Sequence, residues 1–276
     1  MYTQLSPLLK EYQIILENYL PSKGTRFDHI PQYQNIFLDL ANIHRKLIKS
    51  LYLLISTDDS EMDISIYTIC RSLTANTLTT YYFQSFIDEK KEIDNETVCN
   101  ELRALSSEFI SSFVIRINKL QHIHEGKHLI EFADKYPDLF DGEELKSHLK
   151  FHVSSNQAII ESMNLKNGML SEEQKMRVAI LKLPNKKNYI LNTLLLNKLF
   201  TQYYHYNHIG GKWARTSTID RHNEIILTIC YAIEALISSL SNLRTILPNA
   251  DEFIKNSIKL VNAMNLLVDK SFVIKY

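Results

Sequence analysis

The stretch His222–Pro248, HNEIILTICYAIEALISSLSNLRTILP, decides the fold class of this chain. Ile226, Ile229, Ile233, Leu236, Leu240, Leu243 and Leu247 follow one another at alternating steps of three and four residues. An α-helix turns once in about 3.6 residues, so this spacing sets them on one stripe and suits lengthwise packing against a neighbouring helix. Pro248 lacks a backbone N–H and is expected to stop the helix. Working outward, Ile36, Leu40, Ile43, Leu47, Leu51 and Leu54 mark a second stripe. Val98, Leu102, Leu105, Phe109, Phe113, Ile117 and Leu120 mark a third. A last helix from about Ala250 is expected to turn Ile254, Ile258, Val261, Met264 and Val268 inward. Glycine and proline, only six of each, fall mainly between these stretches, and no segment sustains the period-two alternation of a strand. The expected fold is all-α: a bundle of long antiparallel helices with an irregular short-helix insert. We read it as one helical domain over residues 1–276, with a lobe division into N-terminal helices (1–125), an insert (126–187) and C-terminal helices (188–276).

With 276 residues and 45% hydrophobic content, the chain can bury a sizeable core. Cys70, Cys99 and Cys230 lie far apart on apolar helical patterns without a CxxC pair, which points to reduced core residues. The first residues, MYTQLSPLLKEY, lack a basic start followed by an apolar run, so no secretory signal is expected. Apolar stretches such as 189–191 and 194–196 are broken by Asn192, Asn197 and Lys198, so no membrane association is expected and the location read from the sequence is cytoplasmic. His124 and His128, with His122 and Glu125 nearby, have a spacing that can hold zinc on a continuous helix, as do His205 and His208 less regularly. Gly126 is expected to break the first helix, so no metal site is expected. Without a GxGxxG or GxxxxGK[ST] loop the chain offers no dinucleotide or nucleotide-triphosphate cradle, and no cofactor is expected.

The formal net charge is zero, from 31 basic and 31 acidic residues, yet the charges are not evenly spread. From Gln174 to Ile219 there is no aspartate or glutamate, where average usage would put about five. The same window holds Lys175, Arg177, Lys182, Lys186, Lys187, Lys198, Lys212 and Arg215. Uncompensated cations repel one another, so an anionic partner is expected: RNA or another polyanion, or else an acidic protein surface.

The basic window ends in TQYYHYNHIGGKWARTSTIDRH, residues 201–222, where Tyr204, His205, His208, Lys212 and Trp213 surround Gly210-Gly211. Rings beside cations can stack on unpaired bases, and with Lys186, Lys187 and Lys198 these residues form the candidate binding set. The same rings also suit burial at a helix end with their polar tips wet. Ser217 and Asp220 carry a capping-type signal for the next helix. Arg215 therefore falls just before a helix start and His222 within its first turn or so, near backbone N–H groups that favour anions. His222 also extends the Ile226 stripe by one step, the position of a histidine at the edge of a core.

Arg215 and His222, with six residues between them, resemble the arginine-to-histidine motif of the HEPN superfamily, over roughly the last third of the chain. That resemblance implies an all-α domain that dimerises, and a metal-independent endoribonuclease of a toxin or phage-defence system. In those terms Arg215 would hold the phosphate and His222 would handle the proton of a ribose 2′-hydroxyl. Histidine titrates near neutral pH and arginine stays charged, so both suit these tasks. Arg116 and His122, with five residues between them, offer a second match, but Glu108 and Glu125 flank it; the basic surroundings favour Arg215. The segment IYTICRSLTANTLTTYYF, with Arg71, also resembles a helix of HEPN-like families. The alternative is a non-catalytic helical module that meets an acidic protein or a second copy of itself.

Overall fold

Helix α1 (Leu5–Tyr19) buries Leu5, Leu9, Tyr12, Ile15 and Leu16, the i, i+4, i+7 face of an amphipathic helix. It lies against α2 (Gln32–Ser56) and α7 (Ala250–Asn265). The computed structural model describes residues 2–21, 32–57, 63–86, 172–204, 218–240, 243–244, 247 and 249–272. Of these about 87% are helical and none is in a strand, so the protein is all-α. The remaining helices are α3 (Asp63–Gln84), α4 (Glu172–Lys182), α5 (Lys187–Tyr204) and α6 (Thr218–Leu240). A short 3-10 turn, Pro184–Lys186, joins α4 to α5 with proline where a helix start needs no N–H. The chain divides into two units, Met1–Asn95 with Glu173–Tyr276, and Glu96–Glu172; the elements below belong to the first, apart from Glu172. The expected third stripe and the short-helix insert up to Ser171 lie outside the described residues.

The α6 seam is as the spacing requires: Ile226, Ile229, Ile233, Leu236, Leu240, Leu243 and Leu247 are all buried. The helix itself ends at Leu240, short of Pro248. Ser239 Oγ donates to the Leu236 carbonyl at 2.8 Å, and Gln84 Nε2 reaches the Ser238 carbonyl at 3.4 Å, so local side-chain bonds compete with the helical ladder there. By length and composition α6 is the only helix among the described residues that could cross a membrane, but 72% of its apolar window is buried within the protein. Shortening one seam residue, Ile229→Val, is expected to cost about 1 kcal/mol and to lower the thermal midpoint by roughly 2–4 °C, read by calorimetry.

Helix α3 runs through the middle of this unit, packed against α2, α5 and α6. Twelve of its 22 residues are buried, including Thr74, Asn76, Thr77 and Thr80. The threonines send Oγ1 to carbonyls of their own helix, as Thr77 does to Leu73 at 2.8 Å, and Asn76 Nδ2 donates to the Leu40 carbonyl of α2 at 3.3 Å. Such bonding lets polar residues enter the interior. At the other end of α3, Leu78, Tyr81 and Tyr82 share a core cluster with Met176 and Ala179 of α4, Ile190 of α5 and Ala235 of α6. Cys70 and Cys230 are free and buried, and burial pushes the Cys230 thiol up to about 12. Cys99 is outside the described residues.

On two helices the buried face is rotated from the expected one. In α2 the interior positions are Phe37, Leu38, Leu40, Ala41, His44, Ile48, Leu51 and Ile55; the expected Leu40 and Leu51 are among them, while Ile43 is 43% exposed. In α7 they are Phe253, Ser257, Leu260, Val261 and Met264, while Ile258 is 44% exposed. Each face includes one polar residue that an apolar count passes over. His44 reaches Tyr12 of α1, with Nε2 and Oη 2.7 Å apart; Ser257 is small and fully buried on the helix that packs against α1.

Candidate functional site

Asp63 opens α3, and its carboxylate gathers groups from two distant parts of the chain. Arg221 Nη1 of α6 donates to Asp63 Oδ2 at 2.9 Å, and Tyr2 Oη donates to Oδ1 at 3.3 Å. Arg221 Nη1 also lies 3.4 Å from the Tyr67 hydroxyl. The ion pair is well sheltered, its side chains 17% and 19% exposed. Tyr67 stacks on Phe200 of α5, with ring centroids 6.0 Å apart. Burial raises the Tyr2 and Tyr67 phenols well above their ordinary range, so both hydroxyls stay protonated. Glu224, 8% exposed, lies one turn beyond Asp220 on the same helix.

His222 stands beside this cluster, in the second turn of α6, a helix that begins directly after Ser217. Its ring centroid is 5.8 Å from that of Tyr2, at 36°. Its Nδ1 is buried without a hydrogen-bond partner among the described residues, and burial holds its pKa below the ordinary 6.5. The side chain lines a cavity of about 380 Å³ with Ile219, Asn223 and the Leu266–Asp269 turn that follows α7. His222 is therefore neither sealed among aliphatics nor engaged structurally through Nδ1.

The other expected site residues fare differently. Arg215, His205, His208, Lys212 and Trp213 lie outside the described residues, as do Arg116, His122, His124 and His128. Tyr204 is the last residue of α5. Lys186 Nζ lies 3.6 Å from Glu234 Oε2 and 5.2 Å from the Tyr189 ring centroid. Glu234 is twelve residues from His222 on α6, roughly 18 Å along the axis, so Lys186 and His222 occupy different ends of the helix. Lys198 Nζ meets Glu173 Oε1 at 2.6 Å. Lys187 is exposed at the start of α5, and Lys182 from the same basic window sits 4.9 Å over Phe86. Two of the window's cations thus have acidic partners supplied from outside it, one of them a single residue before its boundary. Asp63, Tyr2, Tyr67 and Arg221 were missed by sequence reading, and no local signal marks them, since the pair they surround spans 158 residues. Among the described residues no three of histidine, cysteine, aspartate and glutamate cluster as a metal set would.

Neither a protein-family model, nor a curated protein, nor a solved structure matches this chain.

Proposed function

We propose that this is a HEPN-like helical protein that binds RNA or another polyanion and cleaves RNA without a metal, acting as a cytoplasmic homodimer of the toxin or phage-defence kind. The observation that supports this reading is His222. It sits in the second turn of α6, lines a cavity, and keeps an uncommitted Nδ1. Burial favours its neutral form, which is the form able to take a proton from a hydroxyl. In this reading Arg215 holds the phosphate, because Arg221 is already committed to Asp63.

The test combines binding and turnover. RNA retention that falls steeply with added salt is expected if the basic segment meets phosphates. Cleavage should persist in chelator, and His222→Ala should slow it about 100-fold while RNA binding survives. Equal turnover in His222→Ala, with the fold intact by circular dichroism, removes the catalytic assignment. The second reading, a non-catalytic module for an acidic protein or a second copy, draws on the Lys186–Glu234 and Lys198–Glu173 pairs, which already offset part of the basic charge. Self-association by sedimentation, together with salt-independent or absent RNA retention, would favour it.

A further inference from the structure

We propose that Tyr2 is a positioning residue for His222: its ring, pinned at both ends, sets the orientation of an imidazole that has no hydrogen bond to orient it. This deepens the nuclease reading and rests on it.

His222 lacks the usual tether. A histidine acting as general base is ordinarily held by a hydrogen bond to the nitrogen that does not meet substrate, which fixes both the ring plane and the tautomer. His222 Nδ1 is sealed from solvent and has no such partner among the described residues. A sealed nitrogen cannot meet a hydroxyl of the substrate, so Nε2 is the one left to handle the proton. The orientation of the ring must then come from packing. The ring described against it is that of Tyr2, 5.8 Å between centroids and inclined at 36°.

Tyr2 has little freedom of its own. It is 4% exposed. Its backbone carbonyl accepts from the N–H groups of Leu5 and Ser6 at 3.1 and 2.9 Å, which ties it to the first turn of α1. At the tip of the side chain, Oη donates to Asp63 Oδ1 at 3.3 Å, at the start of α3. Held at both ends, the ring cannot swing to another rotamer without breaking one of these bonds. Asp63 is held in turn by Arg221 at 2.9 Å, the residue before His222 on α6. The contacts therefore close a loop: α6 holds Asp63, Asp63 holds Tyr2, and Tyr2 lies against the next side chain of α6. A side chain whose neighbour is itself locked by hydrogen bonds keeps its geometry better than one resting on a free ring. Burial keeps the Tyr2 phenol protonated, so its bond to Asp63 does not depend on pH near neutrality. Tyr2 is not among the residues that line the cavity beside His222, so its effect on a ligand there passes through the imidazole.

The test pairs turnover with the ring signals of His222 itself, both in the full chain and well below the thermal midpoint of each variant. Tyr2→Leu removes the ring; Tyr2→Phe keeps the ring and loses the anchor on Asp63. On an RNA that the wild type cleaves, kcat should fall roughly tenfold in Tyr2→Leu and about threefold in Tyr2→Phe at unchanged KM, because a misplaced base costs turnover and not binding. The Cε1–H and Cδ2–H resonances of His222, assigned by their loss in His222→Ala, should move in both variants and broaden in Tyr2→Leu. Those of His44, which meets α1 at Tyr12 roughly 15 Å further along that helix, should stay in place. Wild-type kcat in Tyr2→Leu, a loss confined to KM, or unmoved His222 resonances overturns the positioning role, and Tyr2→Phe carries the same comparison should Tyr2→Leu fold poorly. Absence of RNA cleavage by the wild type defeats the nuclease reading alone, and the His222 resonances then still decide whether Tyr2 orients the imidazole.

Discussion

Acidification from pH 8 is expected to remove about 2 kcal/mol of stability by pH 5 and about 4 kcal/mol by pH 3 through His44 alone. His44 is 2% exposed, and burial lowers its pKa from 6.5 to about 3. Its folded-state value lies below its unfolded one, so the unfolded chain takes up the proton first. The stabilisation is complete above pH 6.5 and is lost as the pH falls from there toward 3. Burial also raises the Tyr12 phenol, so the hydroxyl that meets His44 Nε2 at 2.7 Å stays neutral throughout. The two rings meet edge-on, 5.6 Å between centroids, in the contact between α1 and α2. Charging the imidazole would place an unpaired cation there, and the helix pair would open instead. The window from pH 6.5 to 5 isolates the effect, because most carboxylates are still ionised. His222 contributes in the same direction. Urea unfolding across pH 8 to 5 should show the slope in wild type and a flatter profile in Tyr12→Phe/His44→Leu, which removes both partners together. Parallel profiles in the two proteins would defeat the attribution to His44.

That buried pair also explains which parts of the fold could be read in the sequence. The α6 seam was legible because every residue in it is aliphatic and the three-and-four spacing has one solution on a helix. The α2 and α7 stripes were found but turned, since the true faces include His44 and Ser257, polar types that an apolar count assigns to solvent. On α3 the pattern is nearly absent, because neighbours on several sides bury threonines and an asparagine along with aliphatics. Near the candidate site, the start of α6 ahead of His222 was legible because a helix start is a local feature. The charge window was a one-dimensional reading of a three-dimensional quantity. Glu173 and Glu234 enter it only through packing, and Asp63 meets Arg221 only because α3 and α6 lie side by side.

The Asp63–Arg221 pair carries the second large prediction: Arg221→Met is expected to destabilise the protein by about 3 kcal/mol, read by denaturant unfolding. Removing the guanidinium leaves the Asp63 carboxylate, 19% exposed, with Tyr2 Oη at 3.3 Å as the donor described for it. Tyr67 also loses the group 3.4 Å from its hydroxyl. The penalty comes chiefly from the stranded charge, not from the lost attraction, so Arg221→Met/Asp63→Leu should recover most of it. Lys198–Glu173 supplies the contrast. Its contact is shorter, 2.6 Å against 2.9 Å, but its side chains are 54% and 58% exposed. Water solvates either partner when the other is removed, and salt screens the pair, so Lys198→Met should leave the unfolding midpoint unchanged within error. If distance governed the strength of these pairs, Lys198→Met would be the more damaging change; if desolvation governs it, Arg221→Met must be. The same comparison bears on His222, whose ring lies against Tyr2 and whose neighbour in sequence is Arg221. Loss of the ion pair frees Tyr2 and the first turns of α6 together, so Arg221→Met should also shift the His222 ring resonances, while Lys198→Met should leave them in place.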